Sequence, residues 1–158
     1  MNQLKPKAKL GRVFVWIAGI LGGLVLVSAI FMGVRMARMK GVPSDLDYST
    51  RRASDKGVFN VSYTASTGTV PVNQMHQWTL HVETPNGQPV EGATINVDGD
   101  MPQHGHGLPT SPRITKYLGD GDYLVDGMKF QMGGWWLMDF TISANGQTDA
   151  VHFNMMLK

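Results

Sequence analysis

Two histidines spaced by a single glycine, in the run Met101-Pro102-Gln103-His104-Gly105-His106-Gly107, are the residues whose types and spacing best suit chemistry. Imidazoles at i and i+2 can be turned toward one point, and the flanking glycines permit backbone angles that other residues resist. His104 and His106 are therefore candidate ligands for one metal ion. The chain also holds 11 methionines in 158 residues. Met101 opens the histidine run, and Met128 and Met132 share a parity with Phe130 between them, so one side of that segment would present two thioethers. Imidazole combined with thioether suits copper, with Cu(I) favoured by methionine sulfur, whereas zinc would prefer more imidazole or carboxylate. The competing reading is structural. Methionine along a strand is commonly core filler, and histidines in a glycine turn can bond backbone carbonyls.

Other chemistry finds less support. His76, His81 and His152 each stand alone within a strand-like run and read as structural or solvated. Asp98 and Asp100 flank Gly99, and Asp120 and Asp122 flank Gly121, but calcium needs six to eight oxygens and no complete binding-loop spacing is present. Turn aspartates explain them. The sequence has no cysteine, no serine in a nucleophile-elbow context, no phosphate-cradling glycine loop and no HExxH helix, so an enzyme is not expected.

The elements that must position the histidine run are short strands. After Gly57 no stretch keeps helical periodicity, while β-branched and aromatic runs recur between Gly, Pro, Asn and Asp. The expected strands are 58–64, 76–84, 94–98, 113–118, 123–126, 128–132, 135–144 and 150–156. This spacing suits a two-sheet sandwich. Alternation assigns the core: Trp78, Leu80 and Val82; Trp136, Met138, Phe140 and Ile142; Val151, Phe153 and Met155. Trp135 then takes the opposite face from Trp136, as an indole free to cover a sheet edge or bind a partner. Asn145-Gly146 suits a type I′ hairpin turn.

Ahead of the domain, residues 13–34 form a 22-residue run without a charge, long enough to cross a bilayer as a helix. Lys5, Lys7, Lys9 and Arg12 precede it, as in a cytoplasmic basic N-terminus, 1–12, of a signal anchor. Arg35, Arg38 and Lys40 follow it, so the charge difference is small and orientation rests on the first segment. A cleavable signal peptide is the rival, but this run exceeds a typical signal core of about 7–15 residues and no small-x-small pattern follows. Residues 35–56 read as a polar juxtamembrane linker, and 57–158 as the folded domain.

From Gly57 to Lys158 there are four basic residues against nine acidic ones, a net charge of −5, so the basic pI comes from the N-terminal third. An acidic domain without a basic stripe excludes a nucleic-acid partner. The order HVETPNGQPVEGATINV, MPQHGHG and GDGDYLVDGMKFQMGGWW resembles the YtkA-like domain family and its FixH-like relatives. The best marks are Met101, Pro102, His104, Gly105, His106 and Gly107, with Gly127, Phe130, Met132, Gly134 and Trp135. The resemblance implies an immunoglobulin-like sandwich, exported or membrane-anchored, without established enzymatic activity; FixH-like relatives are associated with copper delivery and haem-copper oxidase assembly.

The combined expectation is an all-β, immunoglobulin-like β-sandwich preceded by a single N-terminal transmembrane α-helix. The helix sits in the inner (cytoplasmic) membrane with the domain in the periplasm or extracytoplasmic space. Its expected role is that of an accessory protein binding or delivering copper for a membrane transporter or oxidase. Candidate ligands are His104, His106, Met101, Met128 and Met132. The alternative is a non-catalytic interaction subunit of an envelope membrane complex, contacting its partner through Trp135.

Overall fold

In the computed structural model, which describes residues Gly41–Lys158, the alternating segments become strands with one dry face. Nine strands run through the described residues: β1 Arg51–Ala53, β2 Asn60–Ala65, β3 His76–Glu83, β4 Thr94–Met101, β5 His106–Gly107, β6 Arg113–Gly119, β7 Asp122–Met128, β8 Gly134–Ala144 and β9 Gln147–Leu157. One antiparallel sheet has the order β1-β2-β3-β7-β6 and the other β5-β4-β8-β9. They pack as a sandwich over a shared core. The transmembrane span expected at 13–34 lies outside the described residues, within which no helix is long and apolar enough to cross a membrane.

Period-two patterning located the core. Every residue expected inside on β3, β8 and β9 is buried, from Trp78 and Trp136 to Phe153. Trp78 stacks on Tyr63 at 4.3 Å between ring centroids and approaches Phe130 at 6.0 Å and Phe140 at 6.4 Å. Such pairs add roughly 0.5–1.5 kcal/mol each beyond their burial. Tyr123 fastens the two layers: its hydroxyl donates to the Val90 carbonyl at 2.7 Å and accepts from the Ala93 N–H at 3.1 Å, on the connection that carries the chain from β3 across to β4. The expected Asn-Gly hairpin joins β8 to β9, with φ of 53° at Asn145 and 74° at Gly146.

Two expectations are corrected. Residues 128–132 are not a separate strand: Met128 ends β7, and Lys129–Gly133 is the crossover from one sheet to the other, its parity broken by the change of direction. The stretch read as linker contributes β1, which pairs with β2 along Arg51↔Ser62 and Ala53↔Asn60. Its side chains are polar and largely exposed, so no hydrophobic alternation announces it. Backbone pairing and the Arg51–Glu83 ion pair hold it instead.

Strand β1 and the loop after it clasp the free edge of β9. The Asp55 N–H donates to the Ala150 carbonyl at 2.8 Å, and Arg52 Nη1 donates to the His152 carbonyl at 2.9 Å. The Asp149 carboxylate accepts from the backbone N–H of Lys56 at 2.9 Å, Val58 at 3.3 Å and Ala150 at 2.9 Å. Burial pushes that carboxyl up, but hydrogen bonds from Ser54 and these three amides outweigh it and hold the group down at about 2.

On the outer face of the same sheet Asp98 and Asp139 stand directly opposite each other on β4 and β8, and Asp139 opposes His152 on β9. Like charges in register repel. Burial, then Asp139 and Asp98, push the Asp100 carboxyl up. His152 relieves the repulsion: Nδ1 bonds Asp139 and Nε2 lies 3.1 Å from Asp55, so the hydrogen bond with Asp139, opposed by desolvation and aided by the charges of Asp139 and Asp55, raises its pKa. A raised folded-state pKa means stabilisation that is complete below the unfolded value near 6.5 and is lost as pH rises through the folded value. The melting temperature is expected to fall as pH rises from about 6.5, with a shallower slope in His152→Gln; parallel slopes in thermal melts of the two proteins would refute this role.

Candidate functional site

The histidine run folds as a hairpin between β4 and β5. The Met101 carbonyl accepts from the N–H of both His104 at 2.9 Å and Gly105 at 2.8 Å, closing the turn. Gly105 completes it with φ of 69°, a left-handed angle that glycine adopts without strain. The turn brings the two imidazoles together: their centroids lie 5.8 Å apart with the planes inclined by 28°. An imidazole binds a metal in its ring plane, at about 2 Å through one ring nitrogen, so a shared ion would need these near-parallel rings to turn toward it. His104 is exposed and His106 half-buried.

His106 is held from below. Met101 is its cross-strand partner, so both side chains leave the same face, and the ring packs edge-on to Trp136 at 5.9 Å. Gln131, which spacing did not single out, places Nε2 2.9 Å from His106 Nδ1 and 3.3 Å from the Gly107 carbonyl, itself 3.2 Å from Nδ1. Nδ1 thus meets both a donor, the Gln131 amide, and an acceptor, the Gly107 carbonyl; the amide contact favours a ring proton on Nε2 and the carbonyl contact a proton on Nδ1. A half-turn of the amide would set Oε1 against Nδ1, draw the proton there and leave the Nε2 lone pair open to a metal. Gln131 Oε1 is buried without a partner among the described residues, and the turn would exchange that for the loss of the Nε2 bond to the Gly107 carbonyl.

The methionines separate. Met101 is fully buried under Gly134, where an added Cβ would come within 2.6 Å of the Met101 methyl; the φ of 123° at Gly134 also disfavours any side chain there. Met132, 37% exposed, sits in the crossover beside Gln131, and its carbonyl accepts the Trp136 indole N–H at 3.1 Å. Met128 belongs to the other sheet, where it is buried opposite His76. The structure thus gathers His104, His106 and Met101 on one hairpin, with Met132 next in chain to a residue touching His106. Met128 pairs elsewhere.

Trp135 faces outward as alternation required, yet it is 7% exposed, and its indole N–H donates to Asn154 Oδ1 at 3.0 Å. Asn154 in turn donates to the Asp47 carbonyl. The outward indole thus lies against β9, the edge strand of its sheet. A groove of about 500 Å³ lies nearby, lined by Tyr48, Tyr63, Val70, Met155 and Leu157 among others. Tyr48 and Met156 on its walls are 46% and 44% exposed. Among the described residues no group of three or more His, Asp or Glu side chains is arranged to hold a metal.

Comparison with curated proteins and with solved structures gives no match. The family model for YtkA-like domains matches residues 54–140, a span that includes β2 through most of β8, the histidine hairpin and the crossover carrying Gln131. That span exceeds half of the chain, and the protein belongs to the YtkA-like family.

Proposed function

We propose that this YtkA-like domain is an extracytoplasmic accessory module, anchored through residues 13–34, that binds copper at the histidine hairpin and passes it to a membrane transporter or oxidase. The observation that carries the reading is the pairing of His104 and His106 at 5.8 Å on a glycine turn, beside an amide able to set the proton of His106. His104 is exposed and outside the hydrophobic core, so packing does not call for an imidazole there. Imidazoles with a neighbouring thioether favour copper, and Cu(I) in particular, over hard cations. One side exposed and the other anchored is an arrangement that suits transfer, because an incoming ligand can replace His104 while His106 stays in place.

A second reading, an interaction subunit of an envelope complex, draws on the groove bounded by Tyr48 and Met156, which offers aromatic and thioether surface. It supersedes Trp135 as the contact to test.

A Cu(I) competition titration of the full-length protein in detergent, with His104→Ala/His106→Ala alongside, decides the first reading. The double variant is expected to take up one equivalent fewer; equal uptake would dismiss the hairpin as a metal site. Gln131→Leu should keep the stoichiometry and weaken affinity by roughly 10- to 100-fold, the usual cost of losing a group that orients a ligating histidine; unchanged affinity would leave Gln131 without that role. For the second reading, a photo-crosslinker at Met156 should give a discrete adduct in intact membranes, while the same probe at Trp135 gives none. Adducts at neither position, or at Trp135 alone, would remove the groove as a docking surface.

A further inference from the structure

Among the described residues three buried side-chain atoms lack a hydrogen-bond partner: His76 Nε2, Trp78 Nε1 and Gln131 Oε1. Gln131 bonds the hairpin from the crossover, but His76 lies apart from it. The residue is buried, at 6% exposure, at the start of β3. Nδ1 lies 3.1 Å from the Gln74 carbonyl, which can only accept, so the ring proton is on Nδ1 and the Nε2 lone pair is free. An imidazole with one nitrogen donating to a backbone carbonyl and the other left as a bare lone pair is the arrangement of a ligating histidine.

The cross-strand neighbour of this imidazole is soft. Met128 is the cross-strand partner of His76, and both side chains leave the inward face, so their Cβ atoms stand about 4.5–5.5 Å apart. The register shift between His76 and Trp78 gives β7 an extra residue at this point, which brings Met128 rather than Gly127 into the pair. Phe130 at 5.8 Å and Trp78 at 6.3 Å from the imidazole wall the place with aromatic rings. The chain neighbours of the pair, Met75 and Gly127, line a surface pocket of about 150 Å³ together with Ser111, Arg113 and Asp126. Met75 is 54% exposed there.

We propose that His76 and Met128 form a second soft-metal locus, separate from the histidine hairpin, that takes Cu(I). The monovalent ion fits the chemistry on the page. An imidazole and a thioether are soft donors, and the residues around the pair, Phe130 and Trp78, carry no charge. Asp126 at the pocket supplies the only negative charge among its lining residues, outside the buried pair. The two loci share a wall: Phe130 touches both His76 and Trp136, and Trp136 touches His106. A protein with one exposed and one half-buried imidazole on one sheet and a buried imidazole-thioether pair on the other would hold copper in two environments of different accessibility.

The test removes the hairpin first. Full-length His104→Ala/His106→Ala in detergent is titrated with Cu(I) against a chromophoric Cu(I) chelator, and is expected to retain one equivalent. Adding Met128→Leu, which conserves volume, or His76→Gln should abolish that equivalent; circular dichroism reports whether each variant folds, and if His76→Gln does not, Met128→Leu decides. In the background variant the Met128 methyl resonance should shift on Cu(I) addition. Absence of any bound Cu(I) in the background, or binding that survives Met128→Leu with no shift of that methyl, overturns the proposal and leaves His76 as a core residue with an interior water. Because the background lacks the hairpin imidazoles, this outcome is independent of whether the hairpin itself binds copper.

Discussion

The burial of Phe130 between the two sheets is the constraint from which the rest of the site follows. Its ring meets Trp136 edge-on at 5.1 Å, lies 6.0 Å from Trp78 and 5.8 Å from His76, and has no exposed surface. Removing a core ring of that size costs about 3–5 kcal/mol, a large share of the 5–15 kcal/mol that a domain typically has. With Phe130 fixed inward, the next residue must turn toward the sandwich end. Gln131 then reaches His106, and Met132 offers its carbonyl to the Trp136 indole. The crossover is therefore both a core element and the support of the hairpin.

How far the sequence led depends on which forces leave a pattern. Hydrophobic burial on a pleated strand writes a period of two, so β3, β8 and β9 and their inward residues were legible before any coordinates. The Asn145-Gly146 turn was legible for a different reason, its demand for positive φ. What escaped was held by backbone bonds or by unlike neighbours. Three-residue β1 and two-residue β5 are too short and polar to alternate. The crossover keeps the parity of a strand in its letters, although the chain changes sheet within it.

The candidate site divides the same way. Glycine spacing announced the hairpin, because tight turns need residues of that kind, and the closeness of His104 and His106 follows from the turn. Gln131 carried no signal, since an amide's value here arises only from tertiary proximity to Nδ1. His76 was read as structural from its position in a strand, which its burial supports; the unpartnered nitrogen is a property of three-dimensional surroundings that no local pattern encodes. Methionine parity was the least informative, for Met128 and Met132 end on different sides of a bend.

The clasp of residues 52–58 over β9 has a bearing on how this chain keeps to itself. An eleven-residue edge strand with unpaired carbonyls is a template onto which another copy could add. Here the Ala150 and His152 carbonyls are taken up by Asp55 and Arg52, and Asp149 draws Lys56 and Val58 inward. The polar stretch ahead of Gly57 is thus a guard against strand-to-strand polymerisation. A fragment trimmed at Gly57 would keep its core and lose that guard, so the true margin of the domain is drawn by solubility and lies upstream of β1.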